Sequence, residues 1–145
     1  MRTQRQFVDA FAQFWRAPSA DGLDALLTED VVLRQPLTPT ARSLQAGQRE
    51  FARIFVAIPD LHALVDRWGP TRDGVLIEFR LIGTLGGQPI EWPVVDRFVL
   101  REGMAVERVS YYDPGFLIKA IVTRPSCWLQ VLRSGLLNPW RNADS

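Results

Sequence analysis

The sequence predicts an α+β domain: a cone-shaped, curved antiparallel sheet with N-terminal helices packed on one face and an extra helix at the C-terminus. Three observations carry this. Apolar residues recur at helical spacing up to Pro59 and alternate with polar ones after it. The dipeptides Gly69-Pro70, Gly86-Gly87 and Glu102-Gly103 divide the second half at intervals that suit hairpins. The chain has 145 residues and 47% hydrophobic content, enough for one domain that buries roughly 68–70% of its unfolded surface.

Residues 3–16 form an amphipathic helix with Phe7, Phe11 and Phe14/Trp15 on one stripe, ended by Pro18. After the turn 19–22, Leu23, Leu26 and Leu27 make the stripe of a short second helix. Residues 31–35 are β-branched and stopped by Pro36, so they read as a short strand. A loop with two prolines runs to Gly47. A third helix covers 48–58, with Phe51, Ile54, Phe55 and Ile58 on one side, and Pro59 closes it. Strands follow at 61–68, 74–84, 89–101 and 104–113. Asp113 and Pro114 suit the N-cap and first position of a helix over 115–122. Past Pro125, Trp128, Leu129, Leu132 and Leu136 mark another helix over 126–137. The division is a domain over 1–122 and a helical extension over 123–145.

Net charge is +1, from 17 basic and 16 acidic residues, so no broad electrostatic footprint for nucleic acid is expected. The extension carries three arginines against one aspartate, and the small basic excess lies there. One cysteine, Cys127, excludes an intrachain disulfide framework, and one histidine, His62, excludes a multi-histidine metal site. Gly83-Thr84-Leu85-Gly86-Gly87 lies between strands and is not a phosphate loop. No cofactor is expected. No apolar run approaches ~18 residues and no signal core is visible, so stable membrane insertion is not expected and the reading is cytoplasmic.

The strand 90–101 is the most informative stretch. Trp92, Val94, Asp96, Phe98 and Leu100 share one face; Glu91, Pro93, Val95, Arg97, Val99 and Arg101 share the other. Asp96 is thus a single carboxylate on an apolar face, where ionisation is costly without partners and where a carboxyl suits proton transfer near neutral pH. The same position also fits a structural aspartate bonded to an arginine or the backbone, and a bulge at Pro93 would turn it outward. On 75–82, Glu78 and Arg80 share a face, and Arg80 could polarise a ligand or form a solvated or dimer-facing salt bridge. Asp113 stands either at the mouth of the cone or as the next helix's cap. His62 and Cys127 read as structural.

The order of these pieces resembles a known family. Phe51…Phe55…Ile58-Pro59-Asp60-Leu61, Gly83-Thr84, Asp96-Arg97-Phe98 and the strand from Gly103 to Asp113 with Glu107 look like the nuclear-transport-factor-2-like superfamily, in its SnoaL-like polyketide cyclase branch, from about Phe7 to Ile121. The resemblance implies an α+β barrel and a single aspartate acting as acid/base in an intramolecular aldol closure, a position matched by Asp96. The limonene-epoxide-hydrolase-like branch is a close rival. The stretch 29–39 resembles its first strand and loop, and Tyr111-Tyr112-Asp113 resembles its last. That branch implies an Asp–Arg–Asp set with a Tyr and an Asn holding water. Asp113 matches the final Asp, the middle pair falls on Glu78-Phe79-Arg80 in reversed order, and the water-holding positions fall on Leu33 and Gln35.

The functional expectation is an acid/base enzyme of cyclase or isomerase type, working without metal on a hydrophobic small molecule. Asp96 moves the proton, and Arg80 or Tyr112 stabilises the oxyanion. Asp113 is the further catalytic candidate. Trp15, Leu33, Phe55, Trp92, Val94 and Phe98 are the expected pocket lining, with Gln35 and Tyr112 beside them. The alternatives are an epoxide hydrolase and a non-catalytic hydrophobic-ligand binder. Val95 and Val99 beside Arg97 and Arg101 suit a homodimer interface on the outer sheet face. The apolar residues of 115–137 must dock, and the mouth of the cone is the expected place.

Overall fold

A computed structural model describes residues 1–136. Five strands form one curved, unclosed sheet in the order β1-β5-β4-β3-β2, where β1 is Leu27–Arg34, β2 His62–Pro70, β3 Gly74–Leu85, β4 Gln88–Arg101 and β5 Met104–Tyr111. The helices α1 (Gln4–Arg16) and α2 (Leu44–Ala57) pack on its inner face. Helices α3 (Pro114–Val122) and α4 (Trp128–Ser134) follow the last strand. No helix among the described residues is long and apolar enough to cross a membrane.

Two turns fix the hairpins. Gly86 and Gly87 have φ of 62° and 75°, and Glu102 and Gly103 have φ of 53° and 79°. Two successive positive φ values are the type I′ geometry that matches strand twist, and both pairs occupy two-residue loops. The β3–β4 register then runs unbroken from Leu85↔Gln88 to Gly74↔Val99. Pro93 causes no bulge. It pairs with Arg80 on β3 and lies beyond the stretch of β4 that β5 covers, where its missing N–H removes no ladder bond on that side.

The core is aromatic where α1 meets the sheet. Thr3 caps α1 by accepting from the Gln6 N–H, and Gln6 accepts from Thr3 in return. This starts the helix so that Phe7, Phe11 and Trp15 face the strands. Phe7 stands 5.0 Å from Phe98, and Phe11 stands 5.1 Å from Phe79, both edge-to-face. Each such ring, fully buried, contributes roughly 1.5–3 kcal/mol. Gln4 Nε2 donates to the Gly74 carbonyl at 2.8 Å and ties the helix to the turn before β3.

The sequence expectations need several corrections. The short second helix is a 3₁₀ turn, Asp21–Ala25, and Leu27 already belongs to β1. β1 is eight residues long, and it pairs parallel to β5, so the sheet is not a pure antiparallel meander and does not close. α2 starts at Leu44 because Ser43 accepts the Ala46 N–H, a cap the reading passed over. Gly69 and Pro70 end β2, and the turn proper is 71–73. β5 stops at Tyr111. The final helix is shorter than expected, and residue 137, with the rest of the extension to 145, lies outside the described residues.

Gly74 starts β3 under tight constraint, because a Cβ there would collide with the Phe98 carbonyl oxygen and press on the Val99 backbone. Backbone cannot yield as a side-chain tip can. Gly74→Ala is expected to lower unfolding free energy by about 1–3 kcal/mol in urea titrations, and an unchanged midpoint would show that the β3–β4 ladder relaxes freely.

Candidate functional site

The site begins with a bulge in β5. Val99 pairs with Glu107 and Leu100 pairs with Ala105, so Val106 is an extra residue with no partner across the ladder. Below the bulge Ala105 faces inward; above it Arg108 and Ser110 do. Unbroken alternation would have turned Glu107 inward instead, against Asp96. The bulge exchanges a carboxylate for a guanidinium at that point.

Asp96 is 0% exposed and Arg108 is 6% exposed. Arg108 Nε donates to Asp96 Oδ2 at 2.7 Å, and Nη1 donates to Gln35 Oε1 at 2.8 Å. The guanidinium also lies over the Phe51 ring, 5.4 Å from its centroid. Asp96 Oδ1 is buried with no hydrogen-bond partner among the described residues. Its partner across the ladder is Ser110, itself buried.

Above this pair lies a cavity of ≈ 100 Å³. Gln35, Trp92, Arg108, Ser110 and Tyr112 form its polar end, and Trp15, Phe51 and Ile54 form a wall. Leu117, Ile121, Val131 and Leu136 also line it, so side chains of the segment after β5 reach the cavity. The volume is below the ~300–1,000 Å³ of pockets for drug-sized ligands, and near that of a cavity that holds benzene. Tyr112 is held by donating its hydroxyl to the Pro36 carbonyl at 2.9 Å. Burial, and secondarily the neighbouring Asp96 charge, push its pKa up to about 12 against a partly offsetting Arg108. It therefore remains a phenol at ordinary pH.

The other sequence candidates scatter. Arg80 lies on the outer face: its Nε donates to both Asp66 carboxylate oxygens at 3.1 Å, and its Nη1 donates to Glu91 at 2.9 Å. Inward positions on β3 are Val75, Ile77, Phe79 and Leu81, so strand alternation puts Arg80 across the sheet from Asp96. Asp113 is exposed and accepts the Gly115 N–H at 2.9 Å as the cap of α3, outside the cavity lining. Leu33 and Phe98 border a second space of only ≈ 10 Å³ behind Arg108. Val94 packs in the core, and Phe55 packs half-buried against Trp15. Arg108 and Ser110 were missed because the bulge is silent in the sequence. Counting back from the turn at Glu102-Gly103 without a bulge brings 107–109 opposite 96–98, one residue short of the observed pairing of Phe98 with Arg108 and Asp96 with Ser110. The family motif pieces Asp60 and Thr84 join each other, with Asp60 accepting from the Thr84 N–H at 2.9 Å and its hydroxyl at 2.7 Å. Among the described residues no cluster of three His, Cys, Asp or Glu side chains could hold a metal ion.

A family model described as a SnoaL-like domain matches residues 5–108. The chain belongs to the SnoaL-like domain family. No curated protein matches it. Solved structures do. One is a hypothetical protein from Catenulispora acidiphila with a ketosteroid isomerase-like fold, in complex with trimethylamine. It is 21% identical, with 87% of this chain and 98% of that one covered and a TM-score of 0.74. A protein described as a SnoaL-like polyketide cyclase from Jannaschia sp. CCS1 is 20% identical over 87% and 96%, with a TM-score of 0.66. An LEH-like epoxide hydrolase from M. tuberculosis is 18% identical over 87% and 94%, with a TM-score of 0.65. At these identities the likeness establishes the fold of the SnoaL-like domain and leaves its chemistry to the site.

Tyr112 gives the site a pH signature. An unfolded tyrosine loses its proton near pH 10, whereas the folded one keeps it to about 12. Below pH 10 both states are protonated and stability is unaffected. Between 10 and 12 the folded state binds more protons, so stability falls as pH rises, by about 2–3 kcal/mol over the window. The chain has only two tyrosines and one lysine, so few other groups titrate there. Denaturation at stepped alkaline pH should show this decline in the native protein and a flatter profile in Tyr112→Phe.

Proposed function

We propose that this SnoaL-like domain is an acid/base enzyme of cyclase or isomerase type acting on a small hydrophobic carbonyl compound. The observation that carries the reading is Asp96, a fully buried carboxylate beside a largely apolar cavity, with one oxygen fixed by Arg108 and the other unpartnered. Asp96 does not itself line the cavity, whereas Ser110 does. Ser110 stands opposite Asp96 on the ladder, where Cβ atoms are about 4.5–5.5 Å apart, and a turn of its hydroxyl toward the unpartnered Oδ1 on substrate binding would complete a relay.

In this reading the substrate's α-carbon gives its proton to the Ser110 hydroxyl oxygen as the Ser110 proton passes to Asp96 Oδ1. The C–H electron pair becomes the enolate, whose oxygen charge Arg108 stabilises. The enolate then takes a proton back at another carbon, which is isomerisation, or attacks a second carbonyl carbon of the same molecule, which is ring closure. In the second case the new alkoxide takes the proton from Asp96 by the same path. Arg108 replaces Arg80 as the oxyanion donor, since Arg80 is on the wrong face.

Epoxide hydrolysis finds less support. Of the two water-holding positions, Leu33 has no polar side-chain atom and Gln35 Oε1 already accepts from Arg108, while Asp113, the match to the final Asp, caps a helix outside the cavity. The pocket's neutral ion pair and small volume suit a non-catalytic binder equally in shape, and turnover separates the two.

The expected result is deuterium uptake at the α-carbon of small one-ring ketones such as cyclohexanone and cyclohexane-1,4-dione in D₂O, followed by NMR. Asp96→Asn should slow it by ~10²–10⁴-fold per folded protein, with stability followed in parallel because Arg108 loses its counter-charge. Exchange no faster than buffer with every ketone, while ligands still bind, would leave a binder.

We also propose a homodimer through the outer sheet face. Its charges are matched within the chain, Arg97 and Arg34 on Glu107, Arg80 on Asp66 and Glu91, and Arg101 on Asp30. Leu64, Leu76 and Tyr111 remain exposed there. Light scattering at micromolar concentration should give twice the chain mass, and a monomer mass would refute it.

A further inference from the structure

The polar groups on the cavity lining are unequal in kind. Gln35 Oε1 is taken by Arg108, and the Tyr112 hydroxyl proton is taken by the Pro36 carbonyl. What is left over is donors. Trp92 is 4% exposed and its Nε1–H is buried with no partner among the described residues. Arg108 spends Nε on Asp96 and Nη1 on Gln35, and its Nη2 makes no hydrogen bond among the described residues. An indole N–H and a guanidinium can only donate. A buried donor without an acceptor is costly, so the Trp92 indole N–H favours a ligand that brings oxygen to it, and the Arg108 guanidinium on the same lining can donate to a second oxygen.

We infer that Trp92 Nε1 and Arg108 form an acceptor-selective subsite, and that the ligand is a neutral, one-ring apolar molecule carrying one or two carbonyl oxygens. The inference rests on the reading of this cavity as the ligand site, and it adds the recognition chemistry. Size comes from the volume of ≈ 100 Å³, which holds a single ring with the covering helices in place. Neutrality comes from Asp96: its carboxylate already balances the Arg108 charge, so a carboxylate ligand would stand as an uncompensated charge in an apolar space. An ammonium ligand would add a second positive charge beside the Arg108 guanidinium, with only neutral hydroxyl oxygens of the lining to accept from it. Hydroxyls of Thr38 and Ser110 on the same lining can turn either way and do not oppose a carbonyl.

The test uses rings of one shape and different polarity: cyclohexanone, cyclohexane-1,4-dione, methylenecyclohexane and cyclohexylamine. Each is titrated into ¹⁵N-labelled native protein, and the five tryptophan indole N–H signals are followed by NMR. The expected result is that the ketones move the Trp92 indole proton downfield and bind about 3–10-fold more tightly than the alkene, with the amine weakest. In Trp92→Phe the ketone-to-alkene preference should shrink towards one. That ratio is internal to the variant, so a general loosening of the cavity does not mimic it. An alkene or amine that binds as well as the ketones, or a Trp92 signal that does not move downfield when a ketone saturates the cavity, overturns the subsite. Ketones that bind with the expected preference but show no α-proton exchange uphold the subsite and refute the enzyme reading. If no ring perturbs any cavity-lining resonance, both are refuted.

Discussion

Arg108 and Asp96 form an ion pair that neither residue can leave. A carboxylate at 0% exposure and a guanidinium at 6% are each too costly to bury alone. Removing one partner from such a pair typically costs about 3–5 kcal/mol, because the other charge is stranded. The pair therefore constrains β4 and β5 to one register. That register exists only because Val106 is inserted as a bulge. The outer face shows the complementary result: Glu107, turned outward by the same bulge, accepts from Arg97 and Arg34, each at 3.2 Å. One extra residue thus sorts two opposite charges onto opposite faces, and both faces depend on it.

Most of the fold was legible because its strongest signals are local. The α1 stripe of Phe7, Phe11 and Trp15 repeats at helical spacing, and the two hairpin turns have the residues that positive φ requires. What could not be read is what local pattern does not encode. Leu27 continues an apolar stripe that a helix and a strand explain equally well, and it was β5, 78 residues away at Ala105, that drew it into a parallel ladder. The edge between helix and strand was decided by tertiary pairing.

The site divides along the same line. Asp96 was legible from alternation on β4 alone, because the β3–β4 register holds no irregularity. Arg80 was legible only in part. A strand that reads Leu76-x-Glu78-x-Arg80 on one side and Ile77-x-Phe79-x-Leu81 on the other does state which side is the core, but only if the charged face is taken as the outside. Arg108 was beyond reach. From the turn at Glu102-Gly103, simple alternation makes Glu107 the inward residue, and nothing in Met104-Ala105-Val106-Glu107 announces the bulge. The energetic argument does point to it, because two carboxylates facing each other in an apolar core are far less stable than the observed pair.

The division of labour within the cavity falls near the end of the family match, with Ser110 and Tyr112 of the polar lining just past it. Trp92, Asp96 and Arg108 lie inside residues 5–108, and so do Trp15, Phe51 and Ile54 of the wall. The cover, Leu117, Ile121, Val131 and Leu136, lies wholly beyond that span. α4 is anchored by Gln130 Nε2 donating to the Val56 carbonyl at 2.8 Å, at the far end of α2 from its Ser43 cap. Apart from Phe116, whose ring stands 6.5 Å from Trp92, few ring contacts join the cover to the floor. The floor sets what kind of atom is recognised, by ion pairing and donor supply. The cover limits how large a molecule fits, and the side chains it brings to the lining, Leu117, Ile121, Val131 and Leu136, are all apolar.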